Sequence, residues 1–136
     1  MTVTHHDLMH RTGFEAFALS LPGTTVVHQW GDASVAKVGS KIFALLSGWG
    51  TADAAGLSFK CSELAFAMLP ELAHVRPAPY LARAKWVQVL PGAPLTSDDL
   101  IAYVREAHRL VAAKLPKHLR TTLDLDALIA AAPQRA

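Results

Sequence analysis

Cysteine is nearly absent from this chain, which has one, Cys61, among 136 residues. A single thiol cannot form an internal disulfide, and it has no second thiol for a redox pair or a thiolate zinc site. Long apolar runs are missing too, since no stretch approaches the ~20 apolar residues of a membrane-spanning helix. The first residues lack the basic and then apolar pattern of a secretion signal. We therefore expect a protein of the reducing cytoplasm that does not enter a membrane.

A strong excess of one charge is also absent. The chain has 13 Lys and Arg residues and 11 Asp and Glu residues, which gives a formal net charge of +2. So small a surplus does not attract a polyanion strongly, and contact with nucleic acid would require bases clustered on one surface. We find no internal repeat and no low-complexity segment. The sequence therefore predicts a single domain over residues 1–136, long enough to bury a hydrophobic core.

The N-terminal third changes from helical to strand periodicity. Thr4 and Asp7 resemble a capping box, and apolar residues at helical spacing after them predict a helix from about His5 to Ser20. Runs rich in β-branched residues then predict strands over 24–30, 34–38 and 41–46. Glycine accepts a positive φ at the first position of a type II′ turn, so Gly39–Ser40 predicts a tight hairpin of this type.

The rest of the chain adds further strands and helices. We expect a strand over 56–61, a helix capped by Ser62, a brief edge pairing at the start of 75–83, a strand over 85–90, a long helix from Ser97 to about Leu115 and a terminal helix within 123–132. Connections between the first four strands are too short for a helical crossover, which favours antiparallel neighbours. The pattern predicts an α+β fold: a two-layer α/β sandwich with a mainly antiparallel sheet, ordered helix, four strands, helix, one or two strands, long helix.

The predicted third strand is apolar on both faces. Residues 42–46 are Ile, Phe, Ala, Leu and Leu, whereas a sheet with one face in water alternates apolar and polar residues. Something is therefore expected to cover the second face. A partner molecule is one interpretation, which makes the protein a protein-binding or chaperone-like homodimer. The surfaces for it are this sheet face and the terminal helix, with Leu125, Leu128 and Ile129.

Ordered segments of the chain carry a family resemblance. They are LPGTT at 21–25, KVGSKIFALL at 37–46, PAPYLAR at 77–83 and Lys85–Val87. Together they resemble the MmcQ/YjbR-like family, over a stretch from about Phe14 to Arg120 that leaves 121–136 as a C-terminal amphipathic extension. The resemblance implies an α/β fold similar to that of bacterial secretion chaperones, and DNA binding through a double-wing arrangement. It brings no catalytic residue to transfer.

Basic residues form the candidate nucleic-acid surface. They lie at the hairpin tip, beside the fifth predicted strand, and on the long helix and its exit: Lys37, Lys41, Arg83, Lys85, Arg105, Arg109, Lys114, Lys117 and Arg120. Neutralised phosphates supply most nonspecific affinity for DNA. The competing interpretation is solvated surface charge, because bases near a helix end suit the helix dipole. Helical spacing puts Lys114 nearly opposite Arg105, and the hairpin pairing puts Lys37 and Lys41 on different faces.

No catalytic, metal or cofactor site is expected. His108 lies within an apolar helical stripe, which is typical of a core histidine with one hydrogen-bond partner. His6 and His10 are spaced to chelate a metal, but no third ligand follows them. Cys61 would be a nucleophile only if His28 or His74 approached it, and a small buried thiol is the commoner case.

Aromatic residues near loops suggest one more surface. Trp30, Trp49, Tyr80 and Trp86 are candidates to line a groove for a small molecule, although core packing is the usual role of such residues. We take a non-catalytic DNA-binding protein as the main prediction. The protein-binding homodimer and the small-molecule binder remain as alternatives.

Overall fold

The structure is a computed structural model that describes residues 7–30, 32–47, 56–79 and 81–130. Within these ranges the helices are α1 (Arg11–Leu19), α2 (Glu63–Met68), α3 (Ser97–Ala113), α4 (Lys117–Thr122) and α5 (Asp126–Ala130). The strands are β1 (Thr24–Gln29), β2 (Ala33–Val38), β3 (Lys41–Ser47), β4 (Gly56–Lys60), β5 (Val75–Pro77) and β6 (Trp86–Val89). Short 3₁₀ turns lie at Leu69–Glu71 and Ala82–Ala84.

The strands form one sheet in the order β1-β2-β3-β4-β6-β5, and every neighbouring pair in it is antiparallel. α3 packs across β3 and β4, and α1 packs on β1 and β2. The short strand β5 pairs with β6 at one edge of the sheet, which agrees with the brief pairing expected near Val75. The predicted α+β fold, with helices layered on a mainly antiparallel sheet, is confirmed.

The helix-facing side of the sheet forms the main core. Phe43, Leu57 and Phe59 are fully buried there, and α3 contributes Val104 from the opposite layer. Burial of each such side chain stabilises the fold by roughly 1.5–3 kcal/mol. Leu125 is also fully buried in this core. Part of the C-terminal extension expected at 121–136 is therefore integral to the domain.

The second face of the sheet carries a smaller core. Val35 and Leu45, which are cross-strand partners on β2 and β3, are at most 8% exposed. Ala78 and Leu81, from the connection between β5 and β6, pack over them together with Trp86. The predicted cover of strand three is thus supplied by this chain. Because Leu125 and Ile129 of the extension also pack in the main core, both surfaces proposed for self-association have partners inside the molecule.

The β2–β3 hairpin differs from its prediction in turn type. Gly39 has φ +55° and Ser40 has φ +73°. Positive φ at both central residues defines a type I′ turn, so the type II′ assignment was wrong. The strands that the turn joins also contain a bulge: Ala36 pairs with Ala44 but Lys37 pairs with Ile42. The extra residue, Phe43, lies on the helix-facing side next to Ala44.

Helix boundaries account for the remaining corrections. α1 begins at Arg11 rather than His5, because Asp7 closes a turn in which its Oδ1 accepts from the Met9 amide at 3.0 Å. Thr4 lies outside the described residues. α3 is capped by Thr96 rather than Ser97, and Thr96 forms a full capping box with Asp99. The separate helix α4 was not predicted at all. The Ser62 cap of α2 is confirmed, since its hydroxyl accepts from the Ala65 amide at 3.1 Å.

Candidate nucleic-acid interface

A cleft of about 300 Å³ opens at one end of the sheet. β3 begins there, β4 ends there, β6 begins beside it, and the C-terminus of α3 closes it from the helix layer. Its lining is apolar at the walls and basic at the rim: Lys41, Ile42, Lys60, Ala84, Trp86, Val111 and Lys114. Three separate elements therefore each bring one lysine to the same opening.

Local structure explains the position of each lysine. Lys41 starts β3 directly after the tight turn and pairs with Val38. Lys60 ends β4 and pairs with Trp86. Lys114 is the C-cap of α3, where the helix dipole favours a cation. The antiparallel register brings the start of β3 to the end of β4, so the convergence follows from the fold.

The charges in this cleft interact with one another. Burial lowers the pKa of Lys60, and the positive charges of Lys114 and, to a smaller extent, Lys85 lower it further, whereas Cys61 and Glu63 act in the opposite direction. The Lys60 ammonium also donates a hydrogen bond to the carbonyl oxygen of Ala84. Because like charges repel, an anion bound among these lysines would relieve the repulsion.

Lys85 supplies a fourth cation near the cleft. Its Nζ lies 5.1 Å from the centroid of the Phe66 ring, a cation–π contact. Its backbone is in the left-handed region, with φ +65°, and its carbonyl accepts from the Cys61 amide at 2.9 Å. The strand start is thereby held at the rim beside Lys60.

The structure divides the predicted basic residues into two groups. Lys41 and Lys114 line the cleft, Lys85 adjoins it, and Lys37, Arg83 and Lys117 do not line it. The other three have contacts elsewhere in the chain: Arg105 over the Phe17 ring, Arg109 bidentate on Glu106, and Arg120 with Asp126. Lys60 was missed, because only the pairing of β4 with β6 and the approach of α3 bring it to the other lysines.

The four predicted groove aromatics do not form one groove within the described residues. Trp86 is 5% exposed and lines the lysine cleft, whereas Trp30 is 60% exposed and lines a second cleft on the other face. Trp49 and Tyr80 lie outside the described residues.

His108 and His28 are bonded to groups other than Cys61. His108 is fully buried, its Nε2 lies 2.7 Å from the Pro22 carbonyl oxygen, and burial lowers its pKa despite this hydrogen bond. The expectation of a core histidine is confirmed. Nε2 of His28 lies 2.6 Å from Oε2 of Glu15. Burial raises the pKa of the Cys61 thiol to about 11, so it is protonated at neutral pH, and the expected buried thiol is confirmed.

Neither metal chelation nor membrane crossing has a visible basis in the described part of the chain. No group of three or more His, Cys, Asp or Glu side chains within it is arranged to hold a metal ion. His6, one of the two histidines considered as chelators, lies outside that part. Among the described residues, no helix has the length and hydropathy that crossing a bilayer requires.

The described sheet, with helices on one face and a lysine-lined cleft at its end, defines a two-layer α+β domain. A family model described as YjbR matches residues 19–110. Because this match covers more than half of the chain, the chain belongs to the YjbR family. No curated protein matches it.

Solved structures share the fold. The chain is similar to a Deinococcus radiodurans protein, DR2400, whose domain is described as DUF419: the identity is 25%, the coverage is 88% of this chain and 91% of the other, and the TM-score is 0.73. It is also similar in fold to a protein from Pseudomonas syringae. There the identity is 20%, the coverage is 74% of this chain and 97% of the other, and the TM-score is 0.62.

Proposed function

We propose that this protein binds DNA without catalysing a reaction on it, and that the lysine cleft holds the phosphate backbone. The observation that carries the proposal is the convergence of Lys41, Lys60 and Lys114, from three different elements, on one opening. Phosphate contacts of this kind position a protein on nucleic acid without reading its sequence. The proposal is therefore one of backbone binding with little sequence preference.

The charge balance around the cleft supports a polyanionic partner. The lining residues include three lysines and no acid, although Glu63 is close enough to affect Lys60. Arg109 and Arg120, in contrast, are matched by acids of this chain. Lys114 at a helix end is also the ordinary place for a solvated cation. Lys60 is partly buried beside other cations, and its ammonium donates to the Ala84 carbonyl oxygen rather than to an acid lining the cleft.

We propose a protein without catalysis because the candidate nucleophile, the Cys61 thiol, is buried and protonated. The Cys61 thiol is 4% exposed and its pKa is raised to about 11. A thiolate is the reactive form of cysteine, so this residue is inert at neutral pH. His108, the most deeply buried of the described histidines, hydrogen-bonds a backbone carbonyl rather than a hydroxyl or thiol.

Fluorescence anisotropy with a labelled duplex of about 20 base pairs tests the proposal. With three or four phosphates neutralised, the slope of log K against log salt is expected near −3 to −4, so the affinity falls by about 50-fold or more between about 50 and 200 mM salt. Each of Lys41→Gln, Lys60→Gln and Lys114→Gln is expected to weaken binding several-fold for all sequences and to reduce the slope by about one.

Arg105→Gln is the matched control, because it removes the same charge from a different surface. Arg105 lies nine residues before Lys114, about 13 Å along the helix axis and on the opposite side, where its guanidinium lies over the Phe17 ring. Binding by this variant is expected to equal that of the wild type. Equal weakening by Arg105→Gln and by the cleft variants would show that only net charge matters, and binding that ignores salt would contradict the proposal.

A further inference from the structure

A second cleft, of about 400 Å³, lies on the face of the sheet opposite the helices. It is separate from the lysine cleft and shares no lining residue with it. Apolar side chains of Trp30, Leu45, Pro79 and Leu81 form its walls, and Ser47, Ser58 and Gln88 supply polar groups. This volume is within the range of small-molecule sites.

Two of the polar side chains in this cleft are buried yet incompletely bonded. Gln88 is 7% exposed and Ser58 is 3% exposed. Gln88 Oε1 accepts from Arg76 Nε at 2.8 Å, which orients the amide. Among the described residues, neither the Gln88 amide nitrogen nor the Ser58 hydroxyl has a hydrogen-bond partner. Neither atom is among the fully buried unpaired side-chain atoms of the described residues, so both are open to the cleft and can donate to an acceptor from outside the chain.

Backbone geometry makes room for the Gln88 amide. A Cβ at Gly56 would lie 2.7 Å from Gln88 Nε2, so any other residue at position 56 would displace the amide. Ser58 and Gln88 are direct cross-strand partners on β4 and β6 and face the same side of the sheet. The two groups are therefore placed side by side by the register of the central strands.

Trp30 gives the cleft an aromatic wall. It is 60% exposed, and its φ of +56° is in the left-handed region, which residues other than glycine rarely adopt. An exposed indole beside Leu45 and Pro79 offers a flat apolar surface for stacking. No charged side chain lines the cleft within the described residues, which favours a neutral ligand.

We infer that this second cleft binds a neutral, planar, mainly aromatic small molecule with a carbonyl oxygen. The ring lies between Trp30 and the Pro79 and Leu81 side chains, and the carbonyl oxygen accepts from the Gln88 amide and the Ser58 hydroxyl. A small molecule is favoured over a protein partner by size, since a stable protein interface needs about 800 Å² from each side, whereas this cleft has a volume of about 400 Å³.

Acetophenone and ethylbenzene form a matched pair of probes, because they are similar in size and only the first carries a carbonyl acceptor. Titration of the full chain, followed by ¹H–¹⁵N NMR, is expected to give an acetophenone Kd on the order of 1 mM. Ethylbenzene is expected to bind roughly fivefold to tenfold more weakly, the usual effect of losing one or two hydrogen bonds. The largest shifts should belong to the Trp30 indole and the Gln88 amide.

Variants separate the polar and the apolar parts of this site. Gln88→Glu keeps the acceptor for Arg76 but replaces the donor, and Ser58→Ala removes the other donor; each is expected to abolish the preference for acetophenone while ethylbenzene still binds. Trp30→Ala is expected to weaken both probes. Lys60→Gln should leave the binding of both probes unchanged, because Lys60 lines the other cleft. Loss of probe binding and loss of DNA binding can therefore be told apart.

The inference is overturned if the two probes bind equally to the wild type, if their shifts map to the lysine cleft, or if neither binds. It is also overturned if Trp30→Ala changes the mass of the protein in solution, since that result would assign the surface to a second copy of the chain.

Discussion

Glu15 joins α1 to the first two strands through a single carboxylate oxygen. Its Oε2 accepts from the hydroxyl of Ser34 at 2.6 Å and lies 2.6 Å from Nε2 of His28. Burial opposes ionisation of this carboxyl, but the hydrogen bonds of Ser34 and His28 and the charges of His28 and Arg11 outweigh it, so the pKa of Glu15 is lowered. The ionised form is therefore the one that the folded state stabilises.

Glu15→Gln is expected to lower the free energy of unfolding by about 1 kcal/mol at neutral pH, because it removes a charged acceptor while leaving an oxygen for Ser34. The pKa of Glu15 is lower in the folded state, so its stabilising effect is complete above the ordinary value near 4.5 and is lost as the pH falls through the folded pKa. Urea denaturation at neutral pH and below pH 4 checks this. A difference between variant and wild type that persists in acid would contradict it.

The sequence was informative about residues whose role depends on their own chemistry and local pattern. His108 in an apolar stripe and Cys61 as a small buried thiol were both predicted, because a helical period or a residue's typical burial is enough. Lys60 and Glu15 were not. Their partners are distant in sequence, and only strand register and helix packing bring them close.

At the scale of elements, the β2–β3 hairpin positions one lysine of the cleft against the end of α3. A Cβ on Gly39 would lie 2.7 Å from Cδ1 of Leu115, which is itself 3% exposed. The turn is therefore in direct contact with the residue next to Lys114, the C-cap of the long helix. This contact joins the turn before Lys41 to the residue after Lys114, and both lysines line the cleft.

Gly39→Ala is expected to lower the free energy of unfolding by about 1–2 kcal/mol, because the left-handed backbone at this position disfavours a Cβ and Leu115 must move. It should also weaken DNA binding, since the hairpin tip shifts away from α3. Thermal unfolding and the anisotropy titration measure the two effects. Ser40→Gly is the control: it relieves a positive φ of +73° without a new contact, so it should be neutral or slightly stabilising.

Element boundaries show where local signals compete. Ser97 and Thr96 are both good caps, and the choice of Thr96 is settled by Asp99, which returns a hydrogen bond to the Thr96 amide at 2.9 Å. The Gly39–Ser40 pair suits either primed turn, and the left-handed Ser40 decides for type I′. For α3 the sequence predicted the helix but not the residue that caps it, and for the hairpin it predicted the two turn residues but not the turn type.

For the molecule as a whole, the C-terminal extension is a structural part of the domain. Leu125 is fully buried although it lies beyond the matched residues 19–110. Arg109 of α3 is 3.4 Å from the Ile129 carbonyl oxygen, which adds a polar tie between α3 and α5. The fold therefore needs residues that the family resemblance does not cover.

Leu125→Ala is expected to lower the free energy of unfolding by about 2–4 kcal/mol, the usual effect of emptying a fully buried leucine site. Unfolding in urea, followed by tryptophan fluorescence, should remain a single transition. Leu64→Ala, at a site that is 66% exposed, should change stability by less than about 0.5 kcal/mol. A separate early transition in the Leu125 variant would show that the extension folds independently.

The overall architecture was predictable because its connections are short and its strands are strongly patterned. The order of elements and the antiparallel sheet follow from that pattern. The insertion of β6 between β4 and β5 did not, since it depends on which edge a later strand meets. The two clefts follow from this arrangement, and neither could be located without it.

The extra residue at Phe43 gives β3 two phases of side-chain alternation. Before it, Ile42 faces away from the helices, and after it, Leu45 and Ser47 do so again, out of step with a regular strand. Each end of this strand serves a different cleft. Deletion of one residue at the bulge would reverse the side chains at one end of β3, either the end with Lys41 or the end with Leu45. One of the two clefts would then lose its lining, whereas a substitution at Phe43 keeps both ends facing their clefts.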